Sequence, residues 1–183
     1  MKHKLLKTLG LFGLSVVGAQ VAYSHVIGST DLKDGAPHWY TQPYDLKYDA
    51  KWVHFPGSKA AMNPADEVVI SGEGDFEAAK PYGVRFATSN EWEEFISGHT
   101  VRVTLNTRSS SKKPMRFKVA YLTNSDGFSG WYQGFANVKT STLTFEYDVP
   151  EVSVLKKDFI IVVPEDQNTD FIISSAYLEL VSE

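Results

Sequence analysis

From Asp66 onward the chain alternates apolar and polar residues with a period of two, and Gly, Pro, Asn or Asp interrupts each run. Successive side chains of a β-strand point to opposite faces, so this pattern specifies half-buried strands. An amphipathic helix would instead repeat its apolar residues three and four apart. Thr100 to Thr107 sets Val101, Val103 and Leu105 against Arg102, Thr104 and Asn106. Met115 to Thr123 sets Phe117, Val119 and Tyr121 against Arg116, Lys118 and Ala120. Thr142 to Val149 sets Leu143, Phe145, Tyr147 and Val149 against Thr144, Glu146 and Asp148, and Tyr82 to Thr88 sets Tyr82, Val84 and Phe86 against Gly83, Arg85 and Ala87. Glu67 to Ser71 and Phe159 to Val163 are short apolar runs, the second ending at Pro164. Gly134 to Val138 reads as a short strand and Phe171 to Val181 as a last strand or pair of strands. Asn90 to Ser97, with Trp92 and Phe95 three apart, reads as a helical turn, and the polar segment Ser109 to Pro114 as a hairpin connection. Short strands separated by turn residues predict an all-β fold, an antiparallel sandwich or barrel.

The start of the chain has a different character. Lys2, His3, Lys4 and Lys7 precede an apolar run from Thr8 to Val17, followed by small residues. This is the make-up of a secretory signal peptide. The run falls short of the roughly 20 apolar residues a membrane span needs, so no transmembrane segment is expected in the mature chain. Cleavage after Ser24 assigns residues 1–24 to the signal and leaves His25 first; Ala19 is a second acceptable site. Of 183 residues, 159 then remain, with 15 basic and 22 acidic side chains and a net charge of −7. An acidic surface argues against nucleic acid as a partner, since phosphate rewards a basic patch. Cys is absent, as is any Asn-x-Ser/Thr acceptor. A secreted domain without disulfides relies on its core alone, which favours a bacterial envelope protein in the periplasm or outside the cell.

Residues 25–65 alternate poorly and contain Pro37, Pro43, Pro56 and Pro64 among six aromatic residues from Trp39 to Phe55. So many rings argue against disorder. The segment is expected to pack along a main domain that spans residues 66–183, with Lys47 to Phe55 as a possible strand.

The loop from Asn124 to Tyr132 concentrates residues able to bind a ligand. Flat rings stack on the apolar face of a sugar while amide and carboxyl groups take its hydroxyls, and each good ring contact contributes on the order of 1 kcal/mol. Trp131, Tyr132, Asp126 and Gln133 supply that combination. Trp131 and Tyr132 are neighbours and so face opposite ways if extended. The bland assignment places Trp131 in the core, which makes Tyr132 the better contact residue.

The strand order resembles a known group. Val119 to Tyr121, the Gly130-Trp131 loop, Phe145 to Pro150 and Phe159 to Asp166 are similar to the galactose-binding-like jelly-roll domains, which include many bacterial carbohydrate-binding modules. The resemblance covers roughly Asp66 to Ser182 and is one of pattern. It implies a jelly-roll sandwich of four- or five-stranded sheets and a saccharide or polysaccharide site, on loops at one end or on the concave sheet face. It also implies, in many members, a structural calcium, for which Asp66, Glu67 and Glu179 are the candidate ligands; otherwise no cofactor is expected.

Three further readings remain open. Arg85, Arg102 and Arg116 each lie opposite the apolar face of their own strand. On neighbouring strands they would form one surface able to grip an acidic saccharide; the bland assignment pairs them with Glu146 or Asp148 as solvated surface charge. His25 as the N-terminus, with His38, His54 or His99, would resemble the copper-binding histidine brace of polysaccharide monooxygenases. The exposed aromatics of residues 36–55 would instead suit an envelope structural or assembly protein with a protein partner. Hydrolase chemistry finds no support: the chain has no Gly-x-Ser-x-Gly elbow and no triad spacing. The sequence therefore favours a secreted, non-catalytic carbohydrate-binding sandwich.

Overall fold

The computed structural model describes residues 42–72, 83–123, 127–151, 157–165 and 169–181. The expected signal peptide, His25, His38 and Asp126 lie outside the described residues. Among those described, twelve strands and one helix form two six-stranded antiparallel sheets. The strands are β1 (Tyr44–Asp45), β2 (Lys51–His54), β3 (Ser58–Met62), β4 (Val68–Gly72), β5 (Val84–Ala87), β6 (Thr100–Ser109), β7 (Met115–Thr123), β8 (Gly127–Phe128), β9 (Tyr132–Ala136), β10 (Ser141–Asp148), β11 (Phe159–Pro164) and β12 (Phe171–Leu180). The helix α1 covers Asn90–Ile96. In the back sheet the order is β10-β6-β12-β4-β3, with β1 also on β12. In the front sheet it is β2-β5-β11-β7, and both β8 and β9 lie along the far side of β7. No helix among these residues is long and apolar enough to cross a membrane.

The predicted alternation is what closes the sandwich. On β6, Val101, Val103 and Leu105 are buried, as are Phe117, Val119 and Tyr121 on β7 and Phe171, Ile173, Ala176 and Leu178 on β12. These inward rows meet between the sheets, with Phe117 of the front against Phe171 of the back at 5.0 Å and Tyr121 near Tyr147 at 5.3 Å. Each such side chain contributes about 1.5–3 kcal/mol when fully buried. A bulge on β12 between Ile173 and Ser175 keeps its long inward row in phase with β6, as an extra residue in one strand does.

α1 closes one end. The Ser89 hydroxyl accepts the Trp92 amide proton at 3.2 Å, and Glu91 and Glu93 sit in the first turn, both favourable at a helix start. Trp92 and Ile96, four apart, are buried, and the Trp92 ring lies 4.8 Å from Tyr44 of β1.

Three expectations change. The sandwich does not begin at Asp66, because Tyr44 to Met62 contribute β1, β2 and β3 to both sheets. These strands are two to five residues long, too short for alternation to register. Ser109 to Pro114 is not a hairpin: β6 lies in the back sheet and β7 in the front, so this segment crosses between them. The sheets also carry six strands rather than four or five, through these early strands and the split edge β8/β9.

Gly83 shows how closely the early strands are fitted. It enters β5 at φ +146°, and a Cβ there would run into the Val162 carbonyl oxygen of the paired strand β11. Backbone cannot yield as a side chain can. Gly83→Ala should therefore destabilise the protein by about 1–3 kcal/mol, read as a lower urea midpoint at unchanged slope.

Candidate functional site

The aromatic loop becomes the outer edge of the front sheet. Gly127 and Phe128 pair with Thr123 and Leu122, and Tyr132 to Ala136 pair with Val119 to Met115. Between them Ser129 stays fastened to β7: its amide donates to the Tyr121 carbonyl at 3.0 Å and its hydroxyl accepts the Tyr121 amide proton at 2.9 Å. Gly130, at φ +79°, then turns the chain outward and carries Trp131 with it, a conformation that glycine adopts without strain.

The two neighbours do face opposite ways, but in the reverse sense to the expectation. Tyr132 turns inward: its ring stacks on Phe145 at 4.0 Å and 15°, and its hydroxyl donates to the Glu146 carbonyl at 3.3 Å. Trp131 is the ring in solvent, 38% exposed, with Phe128 edge-on to it at 5.8 Å and 42% exposed. Gln133 and Phe135 share the outward side, and Phe135 is 57% exposed. Gly134 permits the arrangement, because a Cβ there would collide with the buried Phe117 ring. The edge thus presents Phe128, Trp131 and Phe135 with one amide among them. Phe128 and Phe135 were not singled out from the sequence; their outward alternation with Tyr132, Gly134 and Ala136 was the available signal.

The register places this edge beside a polar and then an apolar strip. Gln133 lies opposite Lys118, and Phe135 opposite Arg116. Both cations hold Glu165, Arg116 Nε at 2.9 Å and Lys118 Nζ at 2.9 Å. Further in, Ala120 and Val163 face outward by alternation yet are buried. At its other side Arg85 lies between two rings, its guanidinium carbon 5.4 Å from the centroids of both Phe55 and Phe159. Val53 and Ile161 are its register neighbours. Its Nε is buried without a hydrogen-bond partner, and burial pushes the guanidinium pKa down. From β5 to β9 is three strand spacings, about 14 Å.

The arginines do not form one surface. Arg85 and Arg116 lie on the front face, with β11 between their strands. Arg102 lies on the back sheet and reaches Glu146, directly opposite on β10, with Nη2 at 2.8 Å and Nε at 3.1 Å. The solvated-pair assignment describes Arg102; Arg85 has no carboxylate partner among the described residues.

The candidate calcium ligands are not gathered into one site, and Asp66 and Glu67 are engaged by other side chains. Asp66, at φ +61°, accepts from Lys47 and from the Tyr48 hydroxyl. Glu67 receives Arg108 at 2.9 and 2.5 Å and Asn63 at 3.0 Å. Glu179 faces Arg102 across β12 and β6. Nor do the described histidines pair: Nδ1 of His54 accepts the Ala60 amide proton at 3.0 Å, and Nδ1 of His99 contacts the Ser97 carbonyl at 2.8 Å. Among the described residues no group of three or more His, Asp or Glu could hold a metal ion.

The architecture is a jelly-roll β-sandwich of the kind found in bacterial carbohydrate-binding modules, as solved structures bear out. The xylan-binding CBM22-1 domain of Paenibacillus barcinonensis Xyn10C is similar at a TM-score of 0.53 and 12% identity, covering 78% of this chain and 94% of that one. The C-terminal family 22 module of Clostridium thermocellum Xyn10B is similar at 0.51 and 14%, covering 79% and 96%. No protein-family model matches the chain, and no curated protein matches it in sequence.

The Glu67–Arg108 pair makes a prediction about acid. Hydrogen bonds from Arg108 and then Asn63 hold the Glu67 carboxyl below its ordinary 4.5. A depressed folded-state value stabilises the protein above the unfolded value, and that contribution disappears as pH falls through the folded one. Glu67→Gln should therefore lower the melting temperature at pH 7, and the gap to wild type should close progressively below pH 4.5, as followed by thermal melts across pH.

Proposed function

We propose that this chain is a secreted, non-catalytic polysaccharide-binding protein that uses the outer face of its front sheet. The observation that carries the reading is the exposed row Phe128, Trp131 and Phe135 along the outer edge of the front sheet, beside Gln133 and Lys118. Stacked rings supply apolar contact to a sugar face, and the amide and ammonium supply hydrogen bonds to hydroxyls. The similar solved modules, two of them named for xylan or for carbohydrate binding, support the same reading. The acidic composition and the signal-like start support an extracytoplasmic address without a nucleic-acid partner.

An exposed apolar row also suits a protein partner, so the experiment must separate the two. Trp131→Ala should leave the melting temperature close to wild type and weaken retention on insoluble xylan or β-glucan about fivefold, the scale of one lost ring contact. Tyr132→Ala should lower the melting temperature, because it removes the ring stacked on Phe145. Wild-type protein that no polysaccharide in a broad panel retains would overturn the reading in favour of an envelope assembly role.

A further inference from the structure

Among the described residues the front face carries cations that no carboxylate neutralises, and one of them, Arg85, is half-buried. The described outward positions of this face, with the residue following β11, carry Lys51, Arg85, Arg116 and Lys118 against the single acid Glu165. This excess of positive charge belongs to a chain whose net charge is −4. Glu165 is shared by Arg116 and Lys118. Arg85 stands apart, its guanidinium carbon 5.4 Å from the ring centroids of Phe55 and Phe159, with Val53 and Ile161 as its cross-strand neighbours and a buried Nε that finds no acceptor among the described residues.

Among the described residues this cation has ring contacts but no carboxylate. A structural arginine at a half-buried position ordinarily earns its place through a carboxylate, and leaving it unpaired carries a desolvation penalty. Two aromatic rings flank the guanidinium, each centroid 5.4 Å from its carbon. A guanidinium is a planar donor fork, matched by a planar acceptor with two oxygens. The aromatic row at Phe128, Trp131 and Phe135 lies three strand spacings away on the same face, about 14 Å, near enough for one extended saccharide to meet both.

Resting on the polysaccharide-binding reading, we infer that the ligand is an acidic saccharide and that Arg85 receives the carboxylate of a uronic acid residue while the Trp131 edge stacks on neighbouring sugar rings. Specificity then divides between two elements: the aromatic row takes any suitable sugar face, and Arg85 selects for charge.

The test uses affinity electrophoresis and isothermal titration of the full chain with three kinds of polymer: uronate-bearing (polygalacturonate, alginate, glucuronoxylan), neutral (unsubstituted xylan, β-glucan) and sulfated (carrageenan). Wild type should prefer at least one uronate polymer over its neutral counterpart by about tenfold, the scale of a charge-assisted hydrogen bond, with the preference falling as salt rises. Arg85→Gln should abolish that preference by weakening uronate-polymer binding about tenfold more than neutral-polymer binding, whereas Trp131→Ala should weaken both alike. Because Arg85 has no carboxylate partner among the described residues, Arg85→Gln should melt close to wild type, and a melt of each variant separates lost binding from unfolding. Equal binding of neutral and uronate polymers, or an unaltered preference in Arg85→Gln, would overturn the inference while leaving the broader reading intact. Equal retention of carrageenan would overturn the carboxylate assignment. Failure to bind any polymer would remove the reading on which it rests.

Discussion

The register of β7 is the constraint on which the rest of the molecule depends. This strand is paired on both sides, with β11 along one edge and with β8 and β9 along the other. Its inward row, Phe117, Val119 and Tyr121, meets the back sheet. Because side chains alternate strictly, a slip of one residue would exchange that row with Arg116, Lys118 and Ala120. The slip would bury two cations, so the apolar core enforces the register. In doing so it aims Gln133, Phe135 and Phe128 at solvent through β9 and β8. The proposed binding face is thus a by-product of core packing, requiring no separate machinery to orient it.

Charge is handled differently on the two faces. The back sheet matches its groups across strands: Arg102 meets Glu146, and the Thr100 hydroxyl donates to Asp148 at 2.6 Å. Exposed pairs of this sort contribute little individually, but they leave no unmet demand. The front face contrasts with this. Glu165 gathers two cations, and among the described residues Arg85 has ring faces but no carboxylate, and the attraction of a ring face for a cation is modest beside a carboxylate's. A site that must hold a ligand keeps groups the fold leaves incompletely satisfied, at some expense in stability.

Much of the fold was legible before any coordinates. The long strands β6, β7 and β10 follow directly from alternation between a core-facing and an outward row. β12 was legible only as a last strand or pair of strands, because Phe171, Ile172 and Ile173 are all buried, and α1 was marked by Trp92 and Phe95. The early strands escaped because β1 and β2 span only two and four residues. Proline and aromatic residues around them further masked any period. The candidate site was legible in composition but not in orientation. Local reasoning established that Trp131 and Tyr132 oppose each other; it had no means to tell which one the core would claim. Phe145 on a distant strand and the space left by Gly134 decided that, and both are long-range facts.

The sequence by itself determined an antiparallel all-β chain, the alternation within its long strands, and the presence of rings and amides in one loop. Those properties are local, set by side-chain direction along an extended backbone. Only the tertiary structure decided which strands share a sheet. It therefore decided that Arg102 is paired on the back face while Arg85, with no carboxylate partner among the described residues, lies on the front with Trp131. Sheet membership is chosen by contacts between residues far apart in the chain, as where residues 110–114 carry β6 and β7 into opposite sheets. A cation's role depends on what that choice leaves beside it: Glu146 directly across the ladder for Arg102, and two aromatic rings for Arg85.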